Sequence, residues 1–161
     1  MNQIPVHYVP SDMSTINGLP AHPLLVHAVV VLLPLAALAV VLHAVWPAAR
    51  RRLGMVTPLL CLASLVLVPI TTHAGEKLEH TMGGTNELLE RHAELGDQVL
   101  PWAIALTVVG VAQWAIGRWS PMGPVVRIPV GLVSVAVAVV ATVVLVRAGD
   151  AGAQAVWGGG R

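Results

Sequence analysis

The sequence has little charge and almost no cysteine. Only 11% of its 161 residues are charged, whereas 56% are hydrophobic and the mean hydropathy is +0.77. Soluble domains carry about 25% charged residues, so this composition excludes a soluble fold and indicates a membrane protein. The single cysteine, Cys61, lies within an apolar run. One cysteine excludes disulfides, thiolate zinc sites and iron–sulfur clusters built within this chain.

Catalytic motifs are also missing from the sequence. We find no nucleophile–base pair, phosphate-binding loop or nucleotide-binding motif. The question of enzymatic activity stays open, with no independent activity expected. The net charge is only +1 at pH 7, and we expect the lipid bilayer as a partner and no nucleic acid.

Four apolar runs are each close to the roughly 20 residues that a bilayer requires. They are Leu24–Trp46, Met55–His73, Val99–Gly117 and Ile128–Val146. The first and third connections carry arginines and no acid: Arg50, Arg51, Arg52, Arg118 and Arg127. By the positive-inside rule, these two connections are cytoplasmic. The sequence therefore predicts an all-α integral membrane protein, an antiparallel up-down bundle of four transmembrane helices with both termini on the extracytoplasmic side.

The chain is predicted to have three parts. These are an extracytoplasmic arm (1–20), a four-helix transmembrane domain (21–150) and an extracytoplasmic tail (151–161). Helical spacing of histidine, leucine and acidic residues continues on both sides of Gly83-Gly84. We therefore expect the second and third helices to extend past their apolar runs and to turn at these glycines. No internal repeat is recognised.

Counting residues through the turns predicts a polar layer near the outer face. In an antiparallel helical hairpin, residues equidistant from the turn lie at one height, because both helices rise about 1.5 Å per residue. This count brings one residue from each helix to a shared level: His27, His73, His92 and Asp150. Glu76 lies just above this level with His22, which is expected to cap the first helix. Asp97 and Arg147 lie nearby as charge partners.

The polar layer allows several interpretations. Helices one and three are diagonal in an up-down bundle, and the two axial ligands of haem b need a gap wider than the about 8–10 Å between adjacent helices. His27 and His92 meet that requirement. The adjacent pair His27 and His73, completed by Asp150 or Glu76, suits a bare copper or zinc ion instead. A purely structural role without any cofactor also stays open.

Four short motifs contain most of these residues. They are His22-Pro23-Leu24-Leu25-Val26-His27, Thr72-His73-Ala74-Gly75, Arg91-His92-Ala93-Glu94-Leu95-Gly96 and Gly149-Asp150-Ala151-Gly152. Together they resemble a family of small bacterial four-helix membrane proteins, catalogued as domain-of-unknown-function family 2231. The resemblance implies the bacterial inner membrane. It also implies a redox setting, because relatives are joined to Rieske-type or cytochrome-c-type domains.

The chain departs from this family pattern in two places. Ala28-Val29 stand where relatives often have an aromatic residue and a proline, and Asp150 stands where they often have histidine. A second histidine diagonal, from His73 to position 150, is therefore absent. The resemblance implies at most one bis-histidine haem.

Three functions follow as hypotheses. The first is a redox module that binds haem b or another metal for electron transfer, with His27 and His92 as leading ligands and His73 as a substitute or neighbouring partner. The second is a cofactor-free anchor or accessory subunit of a membrane redox complex. The third is metal-ion handling at the outer face.

Overall fold

The computed structural model describes residues 15–16, 19–82, 87–119 and 123–157. Two short strands, β1 (Thr15–Ile16) and β2 (Leu19–Pro20), pair antiparallel ahead of the helices. The helices of the described ranges are α1 (Ala21–Val45), α2 (Pro47–Leu53), α3 (Val56–Met82), α4 (Glu87–Asp97), α5 (Val99–Trp119) and α6 (Pro124–Trp157). Within these described ranges, four helical segments are long and apolar enough to cross a membrane: Ala21–Val45, Val56–His80, Glu87–Arg118 and Val125–Trp157. The predicted all-α, four-helix membrane architecture is confirmed.

The four long helices form a ring. Helix α1 packs against α3 and α6, and α5 packs against the same two helices, while α4 extends the α5 side and packs on α6. Helices α1 and α5 are therefore diagonal, as are α3 and α6. We call the end where α1 begins and α6 ends the terminal end. The opposite end, which holds α2, is called the arginine end.

The connection at the arginine end is an ordered helix. Pro47 occupies the start of α2, where its missing N–H costs no hydrogen bond. Gly54 ends α2 with φ of 41°, a left-handed conformation that favours glycine. The Arg50 guanidinium donates hydrogen bonds of 3.0 Å to the carbonyls of His43 and Ala44. These bonds satisfy carbonyls that would otherwise be left free at the C-terminus of α1.

The helices continue beyond the apolar runs, as predicted. Helix α3 extends to Met82 and α4 begins at Glu87. The turn expected at Gly83-Gly84, most of the arm and residues 158–161 lie outside the described residues. Helix α6 ends at Trp157, so the boundary placed at residue 150 falls within a continuous helix.

The two halves of the bundle repeat one another, which the sequence prediction missed. The first hairpin is α1 with α3, and the second is α4–α5 with α6. Counted from His22, the buried positions seven, eleven, fourteen, eighteen and twenty-one residues later are Val29, Leu33, Ala36, Val40 and His43. Counted in the same way from His92, they are Val99, Ala103, Leu106, Gly110 and Gln113. The repeat lies in the spacing of buried positions, and most of the residue types differ.

The second helix of each hairpin, α3 or α6, repeats with an equally constant spacing. Buried positions of α3 and α6 are matched 77 residues apart: Thr57, Cys61, Ser64, Val68 and Thr71 correspond to Ser134, Ala138, Ala141, Leu145 and Ala148. The second hairpin is longer by seven residues, all of which fall between Gln113 and Ser134, because 21 residues separate this pair and 14 separate His43 from Thr57. The extra length therefore lies at the arginine end. Seven residues make nearly two full turns, so the buried faces keep their alignment.

Small residues bring the diagonal helices together. A Cβ added at Gly110 of α5 would lie 3.1 Å from Val40 Cγ2 and 2.8 Å from Cys61 Sγ. Val40 is the repeat equivalent of Gly110, so a large residue on one helix occupies the space left by a small one on the other. The same exchange of size recurs between Leu33 and Ala103 and between Ala36 and Leu106. Close approach through small residues is a common way for helices to associate in membranes.

Candidate functional site

The terminal end of the bundle contains a cavity of about 190 Å³. Its walls come from α1, α3, α4, the first residue of α5, and α6, and they are mostly apolar. The polar side chains that line it are His22, Thr71, Thr72, Glu76, Glu79, His92 and Asp97. Two of them are imidazoles that approach each other from diagonal sides of the bundle.

Each imidazole is held by a backbone carbonyl of the other helix in its hairpin. His22 Nδ1 lies 3.0 Å from the Thr71 carbonyl oxygen, and His92 Nδ1 lies 2.9 Å from the Ala148 carbonyl oxygen. A carbonyl oxygen can only accept, so each Nδ1 carries the hydrogen and donates it. In the neutral ring, Nε2 is then left with a free lone pair, which is the form that binds metal ions.

Each imidazole also rests on a glycine. A Cβ added at Gly75 would lie 2.9 Å from His22 Cε1, and one added at Gly152 would lie 2.9 Å from His92 Cε1. Real Cβ atoms do not approach this closely, so only glycine leaves room for the ring. Gly75 and Gly152 follow the residues that accept the hydrogen bonds, Thr71 and Ala148, by one helical turn. We call this arrangement, in which a carbonyl and a glycine one turn later hold one imidazole, a histidine seat. Each hairpin of the repeat contains one such seat.

The two seats place the rings face to edge across the cavity. The centroids of His22 and His92 are 6.2 Å apart, and the ring planes make an angle of 77°. Two bonds of about 2.0–2.1 Å from one metal ion to opposed Nε2 atoms, with an imidazole radius on each side, give a centroid separation of about 6 Å. The centroid separation is therefore the one expected of two imidazoles that share an ion, an arrangement that also requires both Nε2 atoms to turn toward that ion.

The expected partner of His92 lies elsewhere. His27 is exposed, and its Nδ1 donates to the Pro23 carbonyl of its own helix at 2.6 Å. The residue that faces His92 across the diagonal is His22, so the prediction that His22 caps α1 is wrong: its ring bonds to α3. Counting residues from the turns predicts how far along the bundle a residue lies, but not the direction in which its side chain points from the helix axis. Five residues turn a helix by roughly 140°, which points His27 away from the face of His22, and His27 is exposed and is not part of the cavity lining.

The predicted ligands His73 and Asp150 point outward. His73 lies two residues from both Thr71 and Gly75, which turns it by roughly 200° away from the cavity. Its Nδ1 lies 3.4 Å from Glu76 Oε2, and the two side chains are 67% and 60% exposed. Asp150 is exposed and accepts a hydrogen bond of 2.9 Å from Gln154 Nε2, and Arg147 is also exposed.

The described residues contain no group of three or more His, Cys, Asp or Glu side chains that could hold a metal ion. The predicted set of His27, His73, Asp150 and Glu76 is therefore not brought together. Glu76 and Asp97 do line the cavity, although both are exposed. A sequence pattern that could have identified the seats is the Ala-Gly pair, which recurs in His73-Ala74-Gly75 and Asp150-Ala151-Gly152.

Four apolar spans, two matched hairpins and a cavity with paired histidines define a small membrane bundle with an internally repeated design. The chain belongs to the family described as predicted membrane protein (DUF2231), whose family model matches residues 18–160. This match confirms the resemblance drawn from the sequence motifs. Searches of curated proteins and of solved structures found no match.

Proposed function

We propose that this protein is a membrane-embedded redox module that binds a metal centre between His22 and His92. The observation that carries the proposal is the separation of 6.2 Å between two imidazoles, each anchored through Nδ1 to a carbonyl. Nδ1–H bonds to carbonyls are the usual second contact of histidines that ligate metals, because they fix the tautomer and the direction of Nε2.

The size of the site favours copper over haem b. A volume of about 190 Å³ is below the about 300–1,000 Å³ of pockets that hold drug-sized ligands. A bare ion fits this space, whereas haem does not fit unless α1 and α4 separate. Zinc does not change oxidation state and usually takes four ligands, and no third histidine, cysteine or carboxylate converges here among the described residues. Copper accepts imidazole ligands and would supply one-electron chemistry.

The remaining lining suits such an ion. Val29, Val68 and Leu145 are buried, apolar residues that line the same cavity as the two imidazoles, and an apolar lining limits the access of water to a bound metal ion. Glu76 and Asp97 are exposed at the same cavity, and their negative charge attracts cations toward it. The protein therefore supplies two fixed ligands, an apolar wall and an acidic approach.

The setting that we propose is the outer side of the bacterial inner membrane. The arginines at the opposite end of the bundle favour a cytoplasmic position for that end, which would turn the histidine cavity outward. The expected electron partner is a Rieske-type or cytochrome-c-type domain, or another subunit of a membrane redox complex, as the family resemblance implies.

Metal analysis and a visible absorption spectrum of protein purified in detergent from copper-replete and haem-replete cells test the proposal. We expect about one copper per chain in the wild type and a loss of at least tenfold in both His22→Ala and His92→Ala, because each removes one of two ligands. His27→Ala is the matched control, since His27 lies on the same helix but faces away, and it should keep its copper.

A colourless, metal-free wild type would overturn the proposal, as would copper that survives His22→Ala. A Soret band that is lost in both ligand variants would show that haem occupies the same pair and that the helices open to admit it. Altered copurification with other subunits in His22→Ala, at unchanged metal content, would favour the accessory-subunit function. His22→Gln and His92→Gln, which keep a polar side chain, separate ligand loss from a failure to fold.

A further inference from the structure

A second polar cluster lies deep in the bundle toward the arginine end. Its four side chains are His43, Thr57, Gln113 and Ser134, with exposed fractions of 2%, 0%, 2% and 0%. Each belongs to a span that is otherwise strongly apolar. Polar groups buried in a membrane span are costly, so each atom needs a partner.

The cluster consists of two hydrogen-bonded pairs, one from each hairpin. His43 Nδ1 lies 3.3 Å from Thr57 Oγ1. At the equivalent positions of the repeat, Gln113 Nε2 donates to Ser134 Oγ, which in turn donates to the Val130 carbonyl. His43 and Gln113 each follow the cavity histidine of their own hairpin by 21 residues, so both pairs lie at the same level.

One atom of each pair has no partner among the described residues. These atoms are His43 Nε2 and Gln113 Oε1, and both are buried. Val40 of α1 and Gly110 of α5 approach each other across the diagonal. His43 follows Val40 by three positions and Gln113 follows Gly110 by three positions, so both lie close to the same helix face as the residue they follow. Two buried, unpartnered polar atoms therefore lie at one level of the bundle, on helices that are diagonal to each other.

The unpartnered atoms are complementary. The buried Thr57 hydroxyl has His43 Nδ1 as its hydrogen-bond partner in the described structure, and a buried hydroxyl donates its hydrogen where an acceptor is available. Nδ1 then accepts, which leaves the hydrogen on Nε2. His43 therefore presents a donor and Gln113 Oε1 presents an acceptor. A cation is disfavoured as the shared partner, because a donor N–H cannot ligate a cation.

We propose that one ordered water molecule binds between His43 Nε2 and Gln113 Oε1 and links the two hairpins inside the membrane. A water molecule accepts from the first atom and donates to the second, and buried waters typically satisfy such leftover groups. The bound water makes this level a hydrated position between apolar layers, remote from the histidine cavity and independent of any metal there.

Solid-state NMR of protein with ¹⁵N-labelled histidine, in liposomes of perdeuterated lipid, tests this proposal. We expect one neutral ring in the Nε2–H tautomer that receives magnetisation from water and disappears in His43→Gln. His22 and His92 provide an internal contrast, because their rings carry the hydrogen on Nδ1. In Gln113→Leu, the transfer from water to His43 should be lost, while Gln154→Leu, an exposed glutamine on α6, should leave it unchanged.

Two results would overturn the inference. One is a His43 ring with its hydrogen on Nδ1, since the donor would then be missing. The other is an Nε2–H that receives no magnetisation from water in the wild type, which would indicate a direct bond to Gln113. If Gln113→Leu fails to fold, the conservative Gln113→Glu variant is measured instead. Its carboxyl oxygen still accepts from the water, so the transfer should persist, and its loss in a folded Gln113→Glu protein would contradict the inference.

Discussion

The two hairpins of this protein share what faces inward and differ in what faces outward. Both contain a histidine anchored to a carbonyl, a glycine beneath its ring and a buried polar pair whose first member lies 21 residues after that histidine. At exposed positions the halves diverge: His27 corresponds to Asp97, and His73 corresponds to Asp150. Because each half experiences the same bundle, shared inward features indicate what the architecture requires. The outward histidines are features of one half only.

The equivalent helices α1 and α5 of the two hairpins pack toward each other across the diagonal. Two identical helices crossing a diagonal would place large residues opposite large ones or leave matching gaps. The halves avoid this by exchanging sizes at equivalent buried positions: Leu33 of α1 corresponds to the smaller Ala103 of α5, and Leu106 of α5 corresponds to the smaller Ala36 of α1. Close packing then holds without an exact repeat of residue types.

The largest expected effect on stability comes from a substitution at one of the buried positions where the two halves exchange a large residue for a small one. Leu33→Ala should lower the free energy of unfolding by about 2–5 kcal/mol, because Leu33 is fully buried and its removal leaves a cavity. Adding Ala103→Leu should recover part of this loss. The midpoint of thermal unfolding in detergent measures both, and the lipid-facing Leu38→Ala is the control. A double variant less stable than Leu33→Ala would show that positions 33 and 103 do not share one layer.

The glycine seats should give the next largest effect. Gly75→Ala and Gly152→Ala each place a Cβ against an imidazole, which should cost about 1–3 kcal/mol and displace the ring of a proposed ligand. Both variants should therefore lose bound metal and stability to a similar extent. Gly149→Ala, on the same helix as Gly152 but with open space around it, should be neutral or stabilising by up to about 1 kcal/mol. Strongly unequal effects at positions 75 and 152 would contradict two equivalent seats.

The smallest effects are expected at the divergent outward positions. His73→Ala and Asp150→Ala remove only exposed contacts, to Glu76 and Gln154 respectively. Each should change the free energy of unfolding by no more than about 0.5 kcal/mol, as exposed polar pairs usually do. Metal content, measured alongside, should stay at the wild-type level. Loss of metal in His73→Ala would show that this exposed histidine is a ligand, and it would contradict the claim that only inward-facing histidines bind the metal.

The sequence predicted the height in the bundle at which the polar residues gather, but it did not predict which of them face the cavity. The count through the turns placed His73, His92 and Asp150 near one height, and His92 does contact the segment around Asp150 through Ala148 and Gly152. It failed on His22 and His27, which are five residues apart on one helix. Their rotation about the axis decides which one faces inward, and a nearly uniformly apolar helix has no polar face that would reveal that rotation.

Composition and the lengths of the apolar runs by themselves determined a four-helix membrane bundle, because the bilayer imposes span length and forces backbone hydrogen bonds to close within helices. The positions of the motifs determined that histidines gather toward one end. Only the tertiary structure decided that His22 faces His92, that two glycines seat their rings, and that His43 and Gln113 repeat the arrangement deeper in the bundle. These features depend on helix rotation and on the exchange of side-chain volume across the diagonal, which are fixed when the helices pack together.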